Sequence, residues 1–330
     1  MARRKRKKVL LFYNPYSGSG IFRTHLDMVV AKYQKGGLTT IPVRSASYLN
    51  ISKVLSEIDP DEFDHLAVAG GDGTINLFVN GILDNNLELP VAIYPTGTAN
   101  DFAHHLNLPD DVGKMAETAM QDHSMLVDVG KCNDRYFINV AALGALVDVS
   151  RKTDPNLKNT LGVVSYYLRA LPELGNLKPV PVRLTTKEKT MEEEMLFMVA
   201  MNGRAAGGFK KISPDAEIND GLLDVILFKA MPTLELIPLF FNVVHGRHPG
   251  SRNVLYFQTD RMRIESSENI IADIDGEKGS SLPVDLSIVH DRLRIKTLPE
   301  DKVQPDTDEG HGWQKQAEKL LHRRQMMLRR

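Results

Sequence analysis

His65-Leu66-Ala67-Val68-Ala69 runs directly into Gly70-Gly71-Asp72-Gly73-Thr74, and Ile75–Leu83 follows with helical spacing. A short apolar run, a glycine break and an amphipathic helix form the opening of a parallel βαβ unit. The same order recurs on both sides. Val9–Tyr13 is an apolar run ending at Asn14-Pro15-Tyr16-Ser17-Gly18; Phe22–Lys35 then places Phe22, Leu26, Val29, Val30 and Tyr33 on one helical face and stops at Gly36-Gly37. Thr40–Val43 reads as a strand, and Ile51, Val54, Leu55 and Ile58 share the face of a second helix. Val91–Tyr94 is a strand leading to Pro95-Thr96-Gly97-Thr98-Ala99-Asn100-Asp101-Phe102, and Met115–Gln121 is helical. Residues 9–131 are therefore expected to form a doubly wound α/β domain that binds a nucleotide.

From about Cys132 the rhythm changes. Val180–Thr186, Leu196–Met201, Leu222–Phe228, Asn253–Thr259, Met262–Ser266, Ile270–Ile274, Val284–Val289 and Leu293–Lys296 are short, β-like and separated by turn residues. They predict an antiparallel β-sandwich over 132–298, interrupted by helical stretches at Val163–Leu171 and Thr233–His245. The fold class is thus α/β plus mainly-β. Residues 1–8 read as a basic extension. Residues 299–330 read as a polar linker, Pro299–Gly312, and a short basic helix, Trp313–Arg330.

The 330 residues are 42% apolar and 25% charged, which excludes a disordered or collagen-like chain. A single cysteine, Cys132, excludes an intrachain disulfide and fits a reducing cytoplasm. No apolar run approaches the roughly 18 residues of a spanning helix, and no apolar segment follows the basic start as a secretory signal would require. The net charge of −1 conceals an asymmetry: Arg3, Arg4, Lys5, Arg6, Lys7 and Lys8 crowd one end, and 313–330 hold six basic residues against Glu318. An acidic body with basic ends points to an anionic surface, either membrane or nucleic acid, or to two solvated tails. Nucleic acid is not expected, because no aromatic residues interleave with the basic ones.

Chemistry concentrates in the three glycine loops. In a parallel sheet, loops at the carboxyl ends of the strands converge on one crevice. Glycines let backbone N–H groups approach a phosphate, and a helix N-terminus behind each loop adds a favourable dipole. Thr74 and Thr98 offer hydroxyls. Asp72 would repel a bare polyphosphate and makes sense with a divalent cation between them. Singly, each loop also reads as an ordinary turn. Walker A and Gly-x-Gly-x-x-Gly patterns are absent, so neither an ordinary P-loop protein nor an ordinary Rossmann dehydrogenase is expected.

Asn14-Pro15-Tyr16-Ser17-Gly18, Gly70-Gly71-Asp72-Gly73-Thr74-Ile75-Asn76 and Gly97-Thr98-Ala99-Asn100-Asp101-Phe102-Ala103 together resemble the diacylglycerol kinase catalytic-domain family, in particular its soluble bacterial lipid kinases. Val127-Asp128-Val129-Gly130, Phe137-Ile138-Asn139, Asn202-Gly203, Ile218-Asn219-Asp220-Gly221-Leu222-Leu223-Asp224 and Asp275-Gly276-Glu277 extend the resemblance over roughly residues 8–297. Gly-Gly-Asp-Gly-Thr alone is shared with NAD kinases and phosphofructokinases; its pairing with Gly-Thr-Ala-Asn-Asp-Phe is far more specific.

The resemblance implies ATP- and Mg²⁺-dependent phosphorylation of a lipid hydroxyl, foremost that of diacylglycerol, giving phosphatidic acid. It implies ATP contacts from Asn14, Ser17, Gly18, Ser45, Gly70, Gly71, Asp72, Gly73, Thr74, Asn76, Gly97, Thr98 and Asn100, with Asp72 acting alongside Mg²⁺. Glu277 becomes the base that takes the alcohol proton as the phosphoryl group arrives; without the family, Asp275-Gly276 reads as a hairpin turn. A magnesium loop is implied at Asp220, through its carboxylate and the backbone carbonyls of Glu217 and Leu222; without the family it reads as an Asx turn. Asp128 and Asn139 read as a polar network near the site or as buried structural groups. One departure stands out: Leu77 occupies the position of the family's glutamate after Asn76.

The implied partner is a membrane lipid met by transient surface association, which would make the chain cytoplasmic and peripheral. A homodimer is among the expectations. The rival readings are an NAD-kinase-like phosphotransferase and a nucleotide- or lipid-binding regulator without turnover.

Overall fold

The computed structural model describes residues 7–18, 20–45, 50–144, 178–206 and 212–299. The basic run before Lys7, the helix expected at Val163–Leu171, the linker beyond Pro299 and the basic segment Trp313–Arg330 lie outside the described residues.

The first half alternates as the sequence predicts. Its elements are β1 (Lys8–Tyr13), α1 (Ile21–Lys35), β2 (Thr39–Arg44), α2 (Ile51–Ser56), β3 (Phe63–Gly70), α3 (Asp72–Asp84), β4 (Val91–Pro95), α4 (Asp101–His105) and α5 (Val112–Ala119). The strands are parallel in the order β2-β1-β3-β4. β3 and β4 are buried along almost their whole length, which is why they read as continuous apolar runs rather than alternating ones. α1 packs beside α5, and α2 beside α3. The core joins Leu11, Phe12, Phe22, Tyr33, Val68, Phe78 and Tyr94.

The second half is a β-sandwich built from β5 (Ser124–Cys132), β6 (Arg135–Phe137), β7 (Val140–Gly144), β8 (Val180–Thr185), β9 (Thr190–Met201), β10 (Leu223–Lys229), α6 (Thr233–Val244), β11 (Val254–Thr259), β12 (Arg261–Glu265), β13 (Ile271–Ile274), β14 (Glu277–Ser281) and β15 (Val284–Lys296). All its internal pairings are antiparallel, along β14-β13-β7-β9-β8-β12-β15 with β10 and β11 branching from β9. Alternate residues such as Val182, Leu184, Met198, Val225, Met262, Ile264, Ile274 and Leu286 form its core.

Two findings sharpen the expected layout. Val284–Val289 and Leu293–Lys296 are one strand with a bulge between Val289 and Leu293. That strand, β15, pairs with β5 throughout and ends beside β4, where Ile295 meets Val91 in parallel. The β5–β15 ribbon therefore runs through both halves. Asp128 and Gly130 interrupt the apolar pattern of β5, so its sequence does not read as a strand.

Candidate active site

The strand order switches between β1 and β3, and the three glycine loops follow β1, β3 and the adjacent β4. They interlock. The Asn14 side-chain amide donates to Thr74 Oγ1 at 3.1 Å, and the Asn14 backbone N–H donates to the Ala69 carbonyl at 2.9 Å. Gly18, with φ +56°, lies so close to the third loop that a Cβ there would stand 2.5 Å from the Thr96 carbonyl oxygen. A Cβ on Gly97 would stand 2.4 Å from the Gly71 Cα, and one on Gly71 would stand 3.4 Å from Ser17 Oγ. Asn100 holds the third loop shut: its Oδ1 accepts from the Gly97 N–H at 2.8 Å, and its amide donates to the Gly97 carbonyl at 3.2 Å.

Helix ends at this rim are open. α1 follows Gly20 and α3 follows Gly71, and neither has a side-chain cap. By contrast Asn50 caps α2 and Asp111 caps α5. Uncapped N–H groups behind glycine turns form an anion-binding end. Asp72 is the first residue of α3; one of its carboxylate oxygens accepts from the Phe102 N–H at 3.3 Å, tying the second loop to the third. Thr98 and Gly73 are exposed, and Ser45 is half-buried at the end of β2, its N–H bonded to the Tyr13 carbonyl at 2.9 Å. Asn76 turns elsewhere. Its buried amide donates to Asp275 Oδ2 at 2.7 Å and to the Tyr136 carbonyl at 3.3 Å.

Asp275 brings the sandwich to this helix. Asp275 and Gly276 both have positive φ, 51° and 86°, and form the two-residue turn joining β13 to β14. The Asp275 carboxyl is pushed up to about 6 by burial, against four hydrogen-bond donors that favour its charge. Glu277 follows, exposed; its backbone pairs with Ile274 across the turn, and its carboxylate has no hydrogen-bond or ion-pair partner among the described residues. Its strand is polar on both faces, which is why the sequence shows a turn there and no strand.

A second acidic focus lies at the domain junction. Buried Asp128 accepts from the Gly221 N–H at 2.7 Å and the Asp291 N–H at 2.8 Å, and lies 2.8 Å from His290 Nδ1. It thereby pins both the Asp220 loop and the β15 bulge. Asp220 Oδ1 accepts from the Leu222 N–H at 2.9 Å, the Asx turn expected from sequence. Burial first, and then the carboxylates of Asp224, Asp128 and Glu217, hold the Asp220 pKa above the usual carboxylate range. Crowded oxygen donors with mutual repulsion fit a hard divalent cation.

One junction contact has no sequence signal. His105, on α4, accepts the Arg204 N–H at Nδ1 over 2.8 Å, while Arg204 Nε donates to the Ala216 carbonyl at 2.9 Å. Burial foremost, and then Arg204, push the His105 pKa down to about 4. Among the described residues no helix is long and apolar enough to cross a membrane.

Comparison with known proteins matches this geometry to a family. Residues 8–132 match the diacylglycerol kinase catalytic domain, and residues 139–297 match the YegS C-terminal NAD kinase beta sandwich-like domain. The chain is 33% identical over 302 residues to a diacylglycerol kinase of Bacillus subtilis (strain 168), covering 90% of this chain and 98% of that one. It is 32% identical over 296 residues to one of Staphylococcus carnosus (strain TM300), covering 90% and 96%. A crystal structure of a diacylglycerol kinase from Bacillus anthracis str. Sterne superposes with a TM-score of 0.75 at 25% identity, covering 90% of this chain and 99% of that one. With an α/β half whose glycine loops interlock, a β-sandwich half and full-length relatives of one kind, the chain belongs to the diacylglycerol kinase family of lipid kinases.

Proposed function

We propose that the chain transfers the γ-phosphoryl group of ATP to the free hydroxyl of diacylglycerol, releasing ADP and phosphatidic acid. The observation that carries this reading is the interlock of Gly18, Gly71 and Gly97: a Cβ on Gly18 or Gly97 would clash with the backbone of the neighbouring loop, and one on Gly71 would be tight against Gly97. A triphosphate laid along that rim meets the open N-termini of α1 and α3. Asn14 and Asn100 hold the loops in shape; Ser17, Thr74 and Thr98 offer hydroxyls, and Ser45 sits one strand further along.

Asp72, and in the Asp220 loop the Asp220 carboxylate with the backbone carbonyls of Glu217 and Leu222, would hold magnesium. Bound there, it supplies positive charge that offsets the phosphates and the crowded carboxylates. Glu277 accepts the alcohol proton, and the oxygen so freed attacks the γ-phosphorus as the bond to the ADP oxygen breaks. The substrate resides in a bilayer, so the reading includes transient docking of a cytoplasmic enzyme on a membrane surface.

The test is transfer from radiolabelled ATP to mixed micelles containing diacylglycerol, with NAD and other lipid alcohols as parallel acceptors. Glu277→Gln is expected to lower kcat roughly 10²- to 10⁴-fold. Labelling of NAD instead of lipid, or wild-type turnover by Glu277→Gln, would overturn the assignment.

A further inference from the structure

The hairpin that presents Glu277 is not seated by apolar packing at its tip. Gly276, Glu277 and Lys278 are exposed, and β14 has no buried side chain. β13 pairs with β7, and Arg135 Nη1 donates to the Lys278 carbonyl at 3.2 Å, but the densest tie at the tip is one carboxylate. Asp275 Oδ2 accepts from the Ile138 N–H at 2.7 Å and from the Asn76 amide at 2.7 Å; Oδ1 accepts from the Asn139 N–H at 3.0 Å and the Val140 N–H at 2.8 Å. The Asp275 N–H in turn donates to the Val140 carbonyl at 3.0 Å. Three of these donors belong to the link from β6 into the first residue of β7. The fourth belongs to α3, one helical turn beyond Asp72. Asp275 is thus the point at which the Glu277 hairpin is tied to the helix that starts in the glycine rim.

We infer that Asp275 is a positioning residue for phosphoryl transfer: bonded to Asn76 and to the 138–140 backbone, it fixes the Glu277 hairpin against α3. The inference rests on the reading of Glu277 as the base. It follows from the donor set. Four N–H groups converge on two oxygens, so only an acceptor-only group satisfies them all. An amide of the same shape would aim its own N–H₂ at backbone N–H groups. Burial of this carboxylate also disfavours its charged form, so the fold alone gains little from it. What it fixes is direction: Glu277 is two residues away, across a two-residue turn in which Asp275 and Gly276 both have positive φ.

The inference also reassigns Asn76. Its amide is engaged by Asp275 and Tyr136, and its Oδ1 by the Asn80 amide at 3.2 Å. It acts as a tie between the halves and not as a nucleotide contact.

The test uses four full-length variants: Asn76→Ala, Asp275→Asn, Glu277→Gln and the double Asp275→Asn/Glu277→Gln. Readouts are kcat, the KM for ATP and Tm, with diacylglycerol micelles as acceptor. Asn76→Ala and Asp275→Asn are each expected to lower kcat roughly 10- to 100-fold, as small misplacements of a catalytic group do, while the KM for ATP stays within about twofold. The double variant is expected to be no slower than Glu277→Gln, because a residue acting only through Glu277 has nothing left to act on. Three results overturn the inference: wild-type kcat in both tie variants beside an impaired Glu277→Gln; a raised KM for ATP with unchanged kcat in Asn76→Ala; or a double variant slowed by the product of the single effects. Wild-type kcat in Glu277→Gln sinks the base reading itself, a different signature. Should Asp275→Asn fail to fold, Asn76→Ala, which leaves all three backbone donors paired, decides the matter.

Discussion

Gly97 is where the molecule has least room. A methyl group there meets the backbone of Gly71 and Asn100 Oδ1, at 2.4 Å and 2.7 Å, and the nearer neighbour is backbone that cannot rotate away. Gly97→Ala is therefore expected to part the second and third loops while Ile93 and Tyr94 beneath them stay packed. The KM for ATP should rise about tenfold or more, with Tm nearly unchanged. Gly250→Ala, at a site with open space around it, serves as the control; equal KM values in the two variants would contradict the interlock. Cys132 illustrates the opposite case, a residue whose surroundings silence it. Burial foremost, and then Asp285, push its thiol up to about 11, so little thiolate exists at neutral pH. Native protein should resist iodoacetamide over times in which urea-unfolded protein is fully alkylated, as read by intact mass.

At the scale of elements, α4 reaches across the junction through His105. An imidazole that accepts at Nδ1 carries its proton on Nε2, and losing the acceptor strands the Arg204 N–H. His105→Leu should cost about 1–3 kcal/mol, whereas His105→Asn, which keeps an acceptor near Nδ1, should recover most of it. Thermal unfolding of both checks this; identical Tm values would mean that the bond contributes nothing. That contact also marks the limit of what the sequence discloses. The βαβ order and the glycine loops were legible because burial on both sheet faces writes long apolar runs, and because punctuation by glycine is local. Most sandwich strands were legible from alternation. β14 was not, since Glu277–Ser281 exposes both faces, and β5 was not, since Asp128 and Gly130 break its pattern. The bond from Asn76 to Asp275, 199 residues away, was not legible either, because motifs record neighbours in sequence. Contacts such as His105 with Arg204, 99 residues apart, leave no periodic trace at all.

Over the whole molecule, two buried titrations oppose each other. His105 is depressed to about 4, so the unfolded chain binds that proton first; its contribution is complete above about pH 6.5 and fades as pH falls toward 4, by as much as about 3 kcal/mol. Asp275 is raised to about 6, so here the folded chain binds the proton first; its penalty is full above pH 6 and is relieved as pH falls toward 3.8. Between pH 7 and 5 the two partly cancel in the wild type. His105→Asn removes the first, so its urea midpoint should rise relative to wild type on acidification, and Asp275→Asn removes the second, so its midpoint should fall relative to wild type. Parallel curves for all three proteins would refute both assignments. The path of β15 has a consequence of another kind. Because it sets out in the sandwich and finishes beside Val91, neither half can be lifted out whole. A fragment stopped after residue 132 would bare the flank of β4, an open row of amides that invites clumping. Exchanging second halves between relatives therefore calls for two crossover points, one in β5 and one in β15, where a simple fusion would need a single seam.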